Sequence, residues 1–276
     1  MRHLKKPDFN ALDILNLCIK SIQNKDLTDR LSFSRQDVVA AEEEYYRYGE
    51  LQGLFQVIPT ESIGGVDIEE MKKVYKNTFV KSVKTRNIYD QIKKLPLNDI
   101  CPICGQRTVE GLDHYLAQSM HPALVVTPIN LVPACNACNK AKLDAQPKTA
   151  EEQTLHPYFD FVDDERWLFA SVVNTSPASL LFYALPPSTW PDVKRDRVMN
   201  HFRIFGLGSL YASHSGVELT LIRYALQKLA SIEVVRNELI VRMESARDAQ
   251  LNSWQTAMYS ALAESDWFCS GGFNLK

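Results

Sequence analysis

The sequence predicts an α+β protein in which a small strand–strand–helix unit is flanked by mainly helical regions. Three observations carry this expectation. Apolar residues recur every three or four positions through the first hundred residues and again in the last third, the spacing of amphipathic helices. Residues 101–147 change character to cysteines, prolines and short β-prone stretches. Two C-x-x-C pairs, Cys101/Cys104 and Cys135/Cys138, bracket most of that stretch. The expected division is 1–96 as a helical region, 97–165 as the cysteine-bearing unit and 166–276 as a mainly helical region.

Taken in order, Asn10 is a good N-cap for an apolar helix over 11–22. The run Ser34-Arg35-Gln36-Asp37 has the look of a capping box ahead of a helix over 38–48. After Gly64-Gly65, Asp67-Ile68-Glu69-Glu70 reads as a helix start, and Ile68, Met71, Tyr75, Phe79 and Val83 form one stripe of a single amphipathic helix. Pro96 should stop that helix before the first cysteine pair. Residues 108–110 and 123–127 are expected as the two strands of a small ribbon, and 136–145 as a short helix closed by Pro147. Further on, 167–173 and 179–185 are expected as strands. Ile222, Leu226, Leu229, Ile232, Val235, Leu239 and Met243 mark a helical tail whose stripe signals core or a partner helix, not catalysis.

At 276 residues, 45% hydrophobic and 23% charged, the composition is that of an ordinary soluble protein. No apolar run approaches the ~18–20 residues that span a bilayer. The basic start, 1–6, is followed by Asp8, Asn10 and Asp13 and not by a signal-peptide apolar core, so a cytoplasmic chain is expected. A net charge of −2 argues against nonspecific coating of nucleic acid. Locally, however, Lys72 to Lys94 holds eight basic residues against the single acid Asp90. That segment suits either a phosphate backbone or a merely solvated helix face.

Of six cysteines, Cys18 and Cys269 stand alone in apolar surroundings and read as inert small hydrophobes. The other four supply enough thiolates for a closed tetrahedral zinc site, with Gly105 permitting the tight turn after Cys104. A redox C-x-x-C is the competing reading, disfavoured by two pairs and the lack of a thioredoxin-like context. Four cysteines leave no open coordination position, so this Zn²⁺ would be structural and any chemistry would sit elsewhere. Thirty residues separate the pairs, more than a plain ribbon holds.

Between and just after the pairs lie Asp113-His114, Asn130-Leu131 and Asn139-x-x-Lys142. Together with the cysteines these resemble the HNH nuclease family in its four-cysteine form, over about 45 residues. The resemblance implies a ββα-metal core hydrolysing phosphodiester bonds, with DNA the default substrate and 5′-phosphate and 3′-hydroxyl ends as products. His114 suits a general base because imidazole titrates near neutral pH, and Asp113 and Asn139 offer oxygen donors for a hard cation such as Mg²⁺ or Mn²⁺. Adjacent strand residues point opposite ways, so Asp113 and His114 need a strand end or bend to converge. Asn130 matches the family's central Asn, which tethers the loop carrying the base, and Lys142 could reach a phosphate. His156, in a Leu-His-Pro-Tyr segment, is a further candidate metal ligand, weighed against a turn packed by Tyr158 and Phe159. His121 reads as background, and His201 and His214 as structural. Taken singly, His114 would be a structural histidine and Asn139 a helix cap; their joint placement around the cysteines carries the reading.

The flanks, including Asn200-His201-Phe202 through Leu207 to Tyr211, resemble bacterial HNH proteins that act beside ATPases in anti-phage defence, as in Septu-type systems. That resemblance implies an ATPase partner. The rival readings are a zinc-stabilised nucleic-acid-binding module and a scaffold subunit, both without turnover.

Overall fold

Asn10 opens the first helix, α1 (Ala11–Ile19), its side chain accepting the Asp13 amide hydrogen at 2.8 Å. The structure is a computed structural model that describes residues 1–142 and 146–274. They fall into two units, Met1–Asp160 and Phe161–Lys276.

In the first unit, α2 (Lys25–Phe33) runs directly into α3 (Arg35–Glu50). The expected capping box at Ser34 does not form. Ser34 has helical φ/ψ and is fully buried, and its hydroxyl donates back to the Arg30 carbonyl at 2.9 Å instead of accepting from the new helix. A short hairpin, β1 (Ser62–Ile63) and β2 (Val66–Asp67), turns through Gly64 and Gly65, both at positive φ. Helix α4 (Ile68–Val74) then starts on a full capping box between Asp67 and Glu70. The single helix expected from here to Pro96 is broken. A π-helical turn (Tyr75–Phe79) follows α4, and α5 (Val83–Lys93) starts afresh on the Ser82 cap. The buried Thr85 hydroxyl donates to the carbonyls of Thr78 and Phe79, groups that a continuous helix would have used itself. Val83, assigned to the stripe, is 93% exposed.

The cysteine-bearing stretch holds an antiparallel pair, β3 (Gly111–His114) and β4 (Leu131–Ala134), followed by α6 (Asn136–Lys142). The strand–strand–helix order is as expected, but both strands lie elsewhere in the sequence. Thr108 makes only an isolated bridge to Ile100, and 123–127 forms helical turns between Pro122 and Pro128. Prolines on both sides and capture of its carbonyls by side chains, described below, keep that apolar stretch out of a ladder. The expected helix end at Ala145 lies outside the described residues. Leu112 of β3 and Leu131 of β4 share one apolar core with residues of α1 to α5, such as Ile14, Leu31, Val38, Met71 and Ile92.

The second unit pairs β5 (Leu168–Val173) with β6 (Ser179–Ala184), close to expectation. Helices α7 (Asp192–Ile204), α8 (Leu207–Leu226), α9 (Ile232–Ala249), α10 (Trp254–Glu264) and α11 (Asp266–Cys269) follow. The expected helical tail is thus two helices, α8 and α9, separated at the Ser231 cap. Buried Asn252 stitches the unit together, accepting from the Trp167 and Leu168 amides and donating to the Val162 and Glu165 carbonyls. The molecule is α+β, and no helix among the described residues is long and apolar enough to cross a membrane.

Candidate metal centre and active site

Cys101, Cys104, Cys135 and Cys138 are all buried, and their sulfurs lie within 4.8 Å of one another. Tetrahedral zinc with Zn–S bonds of about 2.3 Å needs sulfurs about 3.8 Å apart, so the four thiols can close on one ion with small adjustment. Each pair sits on a tight turn. Gly105, at φ +65°, donates its amide hydrogen to the Cys101 carbonyl at 2.8 Å. The amides of Arg107 and Cys138 point at the sulfurs of Cys104 and Cys135, both at 3.4 Å, which favours thiolates. Mutual hydrogen bonds within the cluster hold the Cys104 and Cys135 thiols below the usual range and push those of Cys101 and Cys138 above it. The cluster can hold a metal such as zinc. Cys18 is inert by contrast, buried with its thiol pushed up to about 11.

Cys135 stands between β4 and α6 and Cys138 lies in α6, so the second knuckle sits where that helix starts. The helix is also anchored by Glu110, whose carboxylate accepts the Asn136 amide hydrogen at 3.1 Å. Sequence reading missed Glu110, because its partner lies across the strand pair.

His114 is the last residue of β3 and Asp113 the one before it. His114 is buried, and its Nε2 donates to the Val125 carbonyl at 2.9 Å. A carbonyl can only accept, so Nε2 carries the proton and Nδ1 is the basic nitrogen of the neutral ring. Burial lowers the His114 pKa to about 4, more than the Val125 bond and the Asp113 charge raise it. The Tyr75 ring stands edge-on to the imidazole at 4.6 Å between centroids. Tyr75 read as one member of an apolar stripe, and its place beside the histidine had no signal in the sequence.

Asp113 is paired with Lys142 of α6 at 3.0 Å, both side chains nearly buried, and Lys142 also donates to the His114 carbonyl. Lys142 is thus held against the acid–histidine pair. Asn139 lies one turn earlier on the same helix and is exposed. Lys142 thus joins the Asp113 carboxylate to the backbone of His114, whereas no hydrogen bond among the described residues joins Asn139 to them.

Asn130 is fully buried and holds the intervening loop from three sides. It accepts the Leu116 amide hydrogen at 2.7 Å and donates to the carbonyls of Leu116 and Leu124 at 3.1 and 3.2 Å.

His156 is part of the packing and not of the site. Its Nδ1 accepts the Tyr158 amide hydrogen at 3.1 Å, so Nε2 carries the proton and donates to the Tyr45 hydroxyl at 2.9 Å. With both ring nitrogens so engaged and aromatic rings on several sides, it offers no lone pair to a metal. His121, set aside from sequence, is buried with Nε2 unpaired among the described residues, and burial lowers its pKa to about 4. His201 is buried in α7.

No family model and no solved structure matches the chain. Among curated proteins it is similar to protein ea31 of Escherichia phage lambda, 25% identical over 296 residues that cover 98% of this chain and all of the phage protein. The similarity therefore runs through both units and is not confined to the cysteine-bearing stretch.

Proposed function

We propose that this protein is a metal-dependent HNH endonuclease acting on DNA, with a structural zinc in the four-cysteine cluster. The observation that carries the reading is the His114 imidazole, fixed by a backbone carbonyl in the tautomer that leaves Nδ1 basic, next to Asp113 in the sequence of β3 on a strand–strand–helix unit bracketed by the cysteines. In this reading His114 Nδ1 takes a proton from the attacking water, and Asn130 keeps the base in place by tying down the loop that follows it. A Mg²⁺ or Mn²⁺ ion at Asp113 and Asn139 supplies Lewis-acid stabilisation when bound. Asp113 fits a hard cation by the charge and the oxygen donors of its carboxylate, provided Lys142 yields its place. By the flanking resemblance, the nuclease is an effector of bacterial anti-phage defence gated by an ATPase partner.

One observation favours a second reading, a nucleic-acid-binding or scaffold subunit without turnover. The Lys142 ammonium already neutralises Asp113, the carboxylate that the metal would need. Plasmid cleavage decides between them. Wild type and His114→Ala are compared with Mg²⁺, Mn²⁺ or EDTA, alone and with the neighbouring operon's proteins, after the zinc content of both chains has been matched. The nuclease reading expects metal-dependent nicking by wild type and a loss of at least a hundredfold in the variant. Silence of wild type under every condition removes it.

A further inference from the structure

The surface of the first unit opens into a groove of about 490 Å³ that reaches His114 only through the ring of Tyr75. Lys72, Lys73 and Lys76 line it, with Glu69 the one acid on its wall. Tyr75 lines it too, and the ring of Tyr75 is the one that stands 4.6 Å from the His114 imidazole. Gln118, on the loop that Asn130 tethers four residues beyond His114, completes that end. The groove therefore runs up to the imidazole's aromatic neighbour.

The charge is not an accident of the whole chain, whose net charge is −2. Lys73 and Lys76 are exposed. Lys72 is the only one of the three with a described ion pair, to Glu69 at 2.8 Å and on the surface, a contact of little strength. The three lysines straddle the junction of α4 and the π-helical turn. Such turns widen a helix locally and are frequent at functional sites. This is the basic segment that suits either a phosphate backbone or a solvated face, and its first three lysines line one groove.

We propose that this groove binds the phosphate backbone of the nucleic-acid strand presented to His114, with Lys72, Lys73 and Lys76 neutralising neighbouring phosphates. The proposal rests on the nuclease reading of the same site, so its test measures binding apart from cleavage. The full chain carrying His114→Ala, with no divalent metal added, is titrated against a short fluorescent DNA duplex over a range of salt concentrations. Each phosphate contact contributes about 0.9 to the slope of log K against log salt. The triple variant Lys72→Ala/Lys73→Ala/Lys76→Ala is expected to lower that slope by about 2–3 and to weaken binding at least tenfold at low salt. Lys93→Ala/Lys94→Ala, nearby in sequence and outside the groove, is expected to leave both nearly unchanged. Equal melting temperatures establish that the triple variant is folded. An unchanged slope in the triple variant, or an equal loss in the control, overturns the proposal. Metal-dependent cleavage by wild type with unchanged affinity of the triple variant sinks the groove alone. Lysine-dependent binding with no cleavage in any metal keeps the groove and removes the nuclease reading.

Discussion

Because Nε2 of His114 is committed to the Val125 carbonyl and the ring is buried, the imidazole is neutral far below the usual histidine range. Under the nuclease reading, the single-turnover cleavage rate is therefore expected to be flat from pH 6 to 8 and to fall only below about pH 5. A half-maximal point near 6.5 would mean that the base is not this buried ring. The same burial makes a stability prediction. His114 and His121, both lowered to about 4, bind fewer protons folded than unfolded between that value and about 6.5. Stability is then fully present above pH 6.5 and is lost as the pH falls, by up to roughly 1.4 kcal/mol per pH unit for each histidine. Urea unfolding between pH 4.5 and 7 measures this, and His121→Phe is expected to flatten the slope. At this scale the sequence was informative where chemistry is local. Asp113 and His114 are neighbours in the chain, and the cysteine spacing declares its knuckles. It was silent on Tyr75 and Glu110, whose roles depend on which element lies opposite.

At the scale of elements, the site depends on a loop with little regular structure of its own. Replacing Asn130 with Ala would leave the Leu116 amide and the Leu116 and Leu124 carbonyls without these partners in the interior. The expected cost is about 3 kcal/mol or more in denaturant unfolding, with a matching loss of any cleavage. Gly49 of α3 is a second pressure point, since a Cβ there would run into the Phe159 ring. Alanine favours an isolated helix by about 1 kcal/mol, yet Gly49→Ala is expected to destabilise the protein by about 1–3 kcal/mol through overpacking. A melting temperature at or above wild type would show that the ring moves aside freely. Element types were largely legible, for helix caps such as Asn10 and Asp67 are local signals. The ribbon was not. The β-prone 123–127 offered a better local pattern than 131–134, which contains Pro133. What decided was the side chains of His114 and Asn130 claiming the carbonyls of Val125 and Leu124.

For the whole molecule, the structure draws its division between Asp160 and Phe161, so the segment 1–96 and the cysteine-bearing stretch form one unit around one core. Sequence periodicity identifies apolar faces but not which faces meet, and this grouping was out of its reach. It predicts that Cys104→Ser/Cys138→Ser abolishes bound zinc in elemental analysis and shifts only one of two calorimetric transitions, that of the first unit. A shift of both by the same amount would mean that the two units melt together. The cysteine pairs have a topological consequence as well. An ion joining them ties a loop of about thirty residues, and that loop contains Asp113, His114 and Asn130. By the chain-entropy relation for cross-links, closing it removes about 3–4 kcal/mol of disorder from the unfolded state. Unlike a disulfide, this clasp opens whenever a stronger chelator takes the ion, so the segment that holds Asp113, His114 and Asn130 would be under the reversible command of metal supply.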